Sequence, residues 1–564
     1  MDDIYSKKPW LKFYDPHVPE HLTYEDKSYA RLFAETVRHV PDRPAVIYMG
    51  RSITFAQLDA LSNRFARFLV DRGLKTGDTV GVNLPNLPAY YIAIVGIMKA
   101  GCVLSGVSPL LSAKELEYQL VDSGAKVLVT LDLLFPKAAE VVAKTPVKSV
   151  LVAGIADFLP PVKKFLGMLL KKIPTGPISP IEGVFVSRYL DAISGLPGEG
   201  IERAVPISAA ALMQYTGGTT GPPKGALLTH SNLVCHIAQI KAWMDLGVGR
   251  DKVLSAFPLF HQAGLFIGMM SMALGITQVA IPNPRDIDFI IKTINAEKPN
   301  GIINVPTIFL ELLKRPAFRA LDFSTVNWFV SGAAPFPPEY INEFESVVGK
   351  GKLVEVVGMT ETTPVLTSLP YYGKKKAGSV GIPYPDTDVR LVDPETGKAV
   401  PQGEPGELVA RGPQVFTLGY HNKPEETANT LRDGWIYTGD VCTMDEDGYF
   451  YVVDRLKDMV NVSGFKVFTR TVDDALMEHP DIDMAATVGL PDPNKPGSEI
   501  VATAVVLKPG VDKGEAEREK IMAYMKEKVA PYKVPKRIDF MDALPTSSVG
   551  KILKRELRKQ MSGK

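Results

Sequence analysis

The 564-residue chain holds three cysteines, Cys102, Cys235 and Cys442, far apart and never in CxxC spacing. They can build neither a disulfide framework nor a zinc cluster, and a reducing compartment, the cytoplasm, is the expected setting. Charge of one sign is not in excess either: 64 Lys and Arg meet 63 Asp and Glu, for a formal net charge of +1. Without a positive field to condense on a phosphate backbone, nucleic acid is not expected as a partner. No stretch reaches the roughly 18 charge-free apolar residues of a membrane span, and the opening MDDIYSKKPW lacks the apolar run of a secretory signal. Repeats at solenoid periods and low-complexity tracts are missing as well.

What is present is apolar material, 45% of the chain, with 47 Gly and 45 Pro. That supports several buried cores and many turns, hence a globular protein of two or more domains. From about residue 28 to 335, β-rich runs such as TVGVNLP (79–85), KVLVTL (126–131), SVLVAG (149–154), GIINVP (301–306) and WFVSGAA (328–334) alternate with helical patterns. Alternation of that kind predicts a parallel α/β sheet. The stretch TFAQLDALSNRFARFLVDRG predicts a helix behind a Thr N-cap. Between about 376 and 454, short alternating strands broken by Gly, Pro and Asp predict a small antiparallel or β-barrel-like unit. Beyond 454 the pattern turns α+β, with MAATVGLPD and EIVATAVVL as strands and EAEREKIMAYMKEKV as a helix. A domain boundary is expected there, dividing 1–454 from 455–564.

The segment 160–174, PPVKKFLGMLLKKIP, interleaves Phe165, Leu166, Leu169, Leu170 and Ile173 with Lys163, Lys164, Lys171 and Lys172. A surface helix packing its apolar side on the body of the protein is the first expectation. Peripheral contact with a membrane face is the alternative.

The strongest local signal is YTGGTTGPPKGALLTH (215–230). Gly217, Gly218 and Gly221 let backbone N–H groups converge, while Thr216, Thr219, Thr220 and Lys224 add hydroxyl and ammonium donors. This is chemistry for a polyphosphate. It is not the GxxxxGK[ST] loop, because Pro223 precedes Lys224 and Gly225 follows it.

This loop resembles the AMP-binding signature of the adenylate-forming superfamily. SGAAP (331–335), GMTE (358–361), YTGD (437–440), DRLKDMVNVSGFKV (454–467) and PTSSVGK (545–551) follow in that superfamily's order. The N-terminal PWLKFYDPHVP and the basic segment near 160 are most similar to bacterial long- and medium-chain fatty acyl-CoA synthetases. The resemblance implies a large N-terminal domain of two doubly wound α/β subdomains plus the barrel-like unit, then a small mobile C-terminal domain. It implies an acid–thiol ligase that uses ATP, Mg²⁺ and coenzyme A on a carboxylic acid, and allows a homodimer.

Carried over residue by residue, Lys551 resembles the adenylation lysine that bridges carboxylate and α-phosphate. Glu361 resembles the Mg²⁺ holder, with Thr216 as a further oxygen ligand and Thr360 beside the phosphates; a hard cation suits such donors. Asp440 resembles the acceptor of both ribose hydroxyls and Arg455 its partner, although the two could equally form a structural ion pair. Gly332, Ala333, Ala334 and Pro335, with Val357, Gly358 and Met359, stand where the superfamily holds adenine. His261 resembles a gate between the acyl pocket and the thiol, Lys457 a hinge, and Gly464 the loop presented for thioester formation. The apolar run LFIGMMSMALG, with Gly264, Gly268, Met269, Met270 and Met272, suits an acyl chain or a helix core. Two departures stand out: Val357 where many members carry a stacking aromatic, and Thr469 and Thr471 where Pro and Glu are usual.

The alternatives left open are a CoA ligase for an aromatic or alicyclic acid and a non-catalytic acyl- or nucleotide-binding protein. A carrier-protein ligase and a light-producing oxygenase fit the sequence less well.

Overall fold

The structure, a computed structural model, describes residues 4–216, 222–463, 465–495, 497–547 and 551–563. Two large sheets dominate the first four-fifths of the chain. The nine-stranded sheet runs in the order Ile382–Pro383, Thr367–Ser368, Leu353–Val357, Trp328–Ser331, Gly301–Asn304, Lys252–Ser255, Thr277–Ala280, Pro44–Tyr48, Arg51–Thr54. Its six central strands, from Leu353–Val357 to Pro44–Tyr48, are parallel, and antiparallel strands close both edges. The seven-stranded sheet runs Phe185–Arg188, Ser149–Ala153, Val127–Leu131, Thr79–Asn83, Val103–Gly106, Ala210–Thr216, Lys224–Thr229. It too is parallel except for the last pair. Strands such as Val127–Leu131 and Ser149–Ala153 are buried along their whole length, as parallel sheets covered on both faces require.

The helices between the strands begin where the sequence supplies caps. Thr54 and Gln57 form a reciprocal capping box at the start of Phe55–Asp71, satisfying two backbone donors that the first turn would otherwise leave unpaired. The helix Pro88–Lys99 is buried on every side, which its nearly charge-free sequence permits. Lys99, its one charge, is neutralised by Asp59 at 2.6 Å and hydrogen-bonded to Ser62 and Asn63.

A separate antiparallel sheet holds Asp388–Val392, Gly406–Arg411, Leu431–Arg432, Trp435–Met444 and Phe450–Arg455. The expected unit starting near 376 is therefore smaller than its sequence pattern: Ile382–Pro383 pairs with Thr367–Ser368 and belongs to the nine-stranded sheet. The C-terminal part carries the hairpin Ile482–Pro491 and Glu499–Leu507, with Arg537–Phe540 added in parallel, and the helices Thr469–Met477, Glu515–Lys528 and Lys554–Ser562 around it. The molecule is thus α/β, with a large N-terminal part and a small C-terminal one. Among the described residues, no helix is long and apolar enough to cross a membrane.

One expectation fails. The helix Pro161–Leu169 does form, but none of its residues is buried, and Phe165, Leu169 and Leu170 are 67%, 66% and 58% exposed. Its apolar side does not pack on the body, because the side toward the body carries Lys163, whose Nζ donates to the Met49 carbonyl at 2.9 Å.

Candidate active site

The C-terminal ends of the parallel strands, the antiparallel sheet and the C-terminal part enclose a cavity of about 680 Å³. A second cavity of about 290 Å³ adjoins it, and Ala333, Gly358, Arg455 and Lys551 line both. The walls of the first change character along its length. One end is apolar, with Met244 just after the helix His230–Trp243, Phe266 and Met270 from Gln262–Ala273, and Trp328 and Ile303 from neighbouring strands. The other end carries Thr216, Lys224, Thr360, Glu361, Arg455, Lys457 and Lys551.

Thr216 and Lys224 reach this wall as cross-strand neighbours in an antiparallel pair. Gly217, Gly218, Thr219, Thr220 and Gly221 lie outside the described residues, as does Gly464. The Lys224 ammonium stands 5.0 Å from the centroid of the Tyr420 ring. Tyr420 donates its hydroxyl to Glu361 Oε1, fixing the carboxylate. Glu361 is buried, and loss of water raises its pKa, while Tyr420, Arg455 and Lys224 pull it back. A buried carboxylate of raised pKa, beside hydroxyls of the same cavity, is a hard-oxygen donor set and fits a divalent cation.

The loops that carry Gly332, Ala333 and Gly358 are fixed by close backbone approach. Ala333 sits at φ 68, in the left-handed region. A Cβ on Gly358 would lie 2.1 Å from the Pro364 carbonyl oxygen, so only glycine fits there. Met359 lines the first cavity, and Ala334, Pro335 and Val357 line the second. Asp440 lies on the second cavity, opposite Arg455 in the register of Trp435–Met444 against Phe450–Arg455. Arg455 Nε–H donates to Asp440 Oδ1 at 2.7 Å. The strand segment YTGD that presents Asp440 is held by Glu407, which accepts the Gly439 N–H at 3.0 Å.

Lys551 reaches both cavities from the far end of the chain. Desolvation and the Arg455 and Lys457 cations push its ammonium down to about 8, against the pull of Asp440; its surface nevertheless faces the open cavity. Burial and the nearby Lys551 push His261 down to about 4, so its ring is neutral. His261 also caps its helix, with Nδ1 accepting the Ala263 N–H at 3.3 Å. Lys457 is depressed as well, by burial and by Arg455.

The apolar run behind His261 divides its labour. Met270 lines the cavity with Phe266 and Ile267, whereas Met269 and Met272 are buried in the core. Gly264 and Gly268 serve close packing: a Cβ on Gly264 would meet the Pro258 carbonyl at 2.2 Å. Trp328, Met244, Tyr384 and Tyr420 were not readable as site residues, since no motif surrounds them and distant segments bring them together. Glu355 was missed too. It is buried beside the second cavity, accepts the Phe336 N–H at 3.0 Å through Oε1, and has Oε2 without a partner; desolvation pushes it up to about 7.

Among the described residues, one cluster of potential metal ligands exists elsewhere, His479, Asp481 and Glu517. Lys520 already pairs there with Asp481, and with Glu517 at 3.6 Å, so a cation occupies that place.

A cavity lined by fixed cations and by apolar side chains suits a ligand that is anionic in one part and apolar in another. The family model of the AMP-binding enzymes matches residues 33–421, and that of their C-terminal domain matches 471–551. This chain belongs to the AMP-binding enzyme family. It is 38% identical to a long-chain-fatty-acid–CoA ligase of Bacillus subtilis (strain 168) over 98% of both chains. It is 34% identical to a feruloyl-CoA synthase of an Amycolatopsis species, over 93% of this chain and 97% of that one. Among solved structures, it resembles the anthranilate CoA ligase AuaEII in complex with anthranoyl-AMP, with 25% identity and a TM-score of 0.84 over 96% and 98% of the two chains. ATP-bound MatB from Rhodopseudomonas palustris gives 28% and 0.80, over 94% and 98%.

Proposed function

We propose that the protein is an AMP-forming acyl-CoA synthetase for medium- to long-chain fatty acids. The observation that carries this reading is one continuous cavity, apolar at one end and lined by Lys224, Glu361, Arg455 and Lys551 at the other. It matches an aliphatic acid whose carboxylate must meet a triphosphate. The fatty-acid reading is supported by the long-chain ligases, at 38% identity over the full length.

In the first half-reaction the carboxylate oxygen attacks the α-phosphorus of ATP, and the bond to the β-phosphate oxygen breaks to release pyrophosphate. Two anions must approach, and fixed cations make that possible without solvent reorganisation. Lys551 brings them together: it borders both cavities, so its ammonium can touch carboxylate and α-phosphate at once. Arg455 and Lys224 hold the phosphates, and Asp440 accepts from the ribose hydroxyls in the second cavity. Glu361, with Thr216 and Thr360, would hold Mg²⁺, which when bound neutralises phosphate charge. Ala333, Ala334, Pro335 and Val357 then cover the base. In the second half-reaction the CoA sulfur attacks the acyl carbon, the acyl–oxygen bond breaks, and AMP leaves while the thiol proton passes to solvent. Neutral His261, at the junction of the two ends, can move aside for the thiol without losing a charge partner.

Lys457 follows the last strand of the antiparallel sheet and is the natural hinge, so 1–454 and 455–564 are proposed as the two moving bodies. Light scattering on the purified protein tests the expected homodimer.

The deciding experiment is ATP consumption against acids from acetate to palmitate, with benzoate and ferulate, with and without CoA, and with the nucleotide product identified. AMP and pyrophosphate that require both a fatty acid and CoA support the proposal. Preference for ferulate would favour the aromatic reading, which the feruloyl-CoA synthase relative keeps in view. No turnover with any acid would sink both.

A further inference from the structure

We propose that residues 160–174 dock the protein on the surface of an anionic lipid bilayer. The helix Pro161–Leu169 is amphipathic in the inverted sense for a soluble protein. Val162, Phe165, Leu166 and Leu169, at spacings of three, four and seven, share one face, with Met168 and Leu170 flanking it; all six are 47% to 69% exposed. Lys163, on the opposite side, reaches back to the Met49 carbonyl. Lys163 is thereby tied to the body while remaining exposed, and the apolar side turns to solvent.

The element is held in this attitude by its base and by its own turn. Phe158 and Leu159, just before it, are buried in the main core, and Arg51 donates to the Leu159 carbonyl at 3.3 Å. At the other end Lys171 adopts φ 52, and the Lys172 N–H closes on the Gly167 carbonyl at 2.8 Å. Ile173 folds over Gly167, where a Cβ would come within 2.6 Å of its Cδ1. The helix thus ends by local bonds, without help from the body of the protein.

Charge chooses the occupant. Lys163, Lys164, Lys171 and Lys172 are exposed, and no acidic residue occurs between Phe158 and Ile181. A second copy seated on the same patch would bring four lysines against four across a two-fold interface, which repels. A sheet of lipid phosphates attracts all four while the acyl boundary takes up Phe165 and the leucines, to a depth of roughly 5–10 Å. Docking of this kind is independent of the catalytic reading.

The test is co-sedimentation of the full-length protein with phosphatidylcholine vesicles, with and without phosphatidylglycerol, at low and high salt. Wild type should bind the anionic vesicles and release as salt rises. A Lys164→Glu, Lys171→Glu, Lys172→Glu variant should lose about a hundredfold in partitioning. A Phe165→Ser, Leu166→Ser, Leu169→Ser variant should lose at least as much. All six positions are exposed, so unchanged melting temperatures will accompany these losses. Wild type that stays in the supernatant at low salt overturns the proposal, as does a variant that binds like wild type. Sedimentation velocity adds the remaining arm: if the serine variant alters only self-association, a second copy is the occupant and the lipid proposal fails.

Discussion

In the proposed mechanism, Lys551 at about 8 makes the acid-activating step pH-dependent in a defined direction. The ammonium is the working form, so adenylation, followed by ATP–pyrophosphate exchange, should be flat below about pH 8. Above it, the rate should fall toward tenfold per unit as the charge is lost. Lys551→Ala should cost adenylation at least about a thousandfold, leave ATP binding within a few-fold and abolish that limb; an unchanged rate would remove Lys551 from the mechanism. Glu355 gives a second residue-level prediction. Its folded pKa of about 7 lies above the ordinary 4.5, so the folded state holds the proton more tightly than the unfolded one. The associated stability is full below about pH 4.5 and lost as pH rises through about 7. Glu355→Gln keeps the site neutral at every pH, and should melt like wild type in acid but be stabilised above pH 7 by up to about 3 kcal/mol. Equal melting curves at pH 8 would show that Oε2 finds a partner in solution.

The strands and helices obeyed their local patterns. Val127–Leu131, Ser149–Ala153, Gly301–Asn304, Glu499–Leu507 and the capped helix Phe55–Asp71 all fall within the segments that periodicity and caps indicate, and Ile482–Pro491 starts two residues before its segment. Their neighbours did not follow from pattern: nothing local says that Thr277–Ala280 lies between Lys252–Ser255 and Pro44–Tyr48, because strand order is a long-range property. The acyl end of the cavity depends on one such juxtaposition. Gly301 and Trp328 are paired across adjacent parallel strands, and a Cβ on Gly301 would lie 2.1 Å from the Trp328 ring. Gly301→Ala should therefore push the indole off its seat, lowering stability by about 2 kcal/mol and shortening the longest acid that supports turnover. An unaltered chain-length profile in a folded variant would show that Trp328 does not bound the pocket.

Across the whole molecule, the unusual Thr469 acquires a role. Its N–H and Oγ1 both donate to the Asp454 carboxylate, the hydroxyl at 2.9 Å, and Lys554 donates to Thr469 Oγ1 at 2.7 Å and to Asp473 at 3.0 Å. These bonds join the strand before the proposed hinge to two helices after it. A proline at 469 would have no N–H to give. Thr469→Val should weaken this orientation about tenfold: ATP–pyrophosphate exchange slows, while thioester formation from preformed acyl-adenylate does not. Equal loss in both steps would argue against a clamp.

Glu361, Asp440 and Lys551 were legible only through the resemblance of their motifs to the adenylate-forming superfamily. The loop around Lys224 was legible in the chain itself because phosphate chemistry demands particular residue types at short spacing, and short spacing survives without coordinates. The same holds for the α/β class, which follows from local periodicity. Other features needed the folded molecule: the Tyr420 hydroxyl on Glu361, the Trp328 wall, the orphaned Glu355 oxygen, and the union of Lys551 with Arg455. Each joins residues far apart in sequence, so it exists only once the sheets have paired and the core has closed. The helix Pro161–Leu169 makes the contrast plainest. Its amphipathicity is a property of a short run of consecutive residues, but the direction its apolar face points is set by where Phe158, Leu159 and Lys163 attach to the rest of the fold.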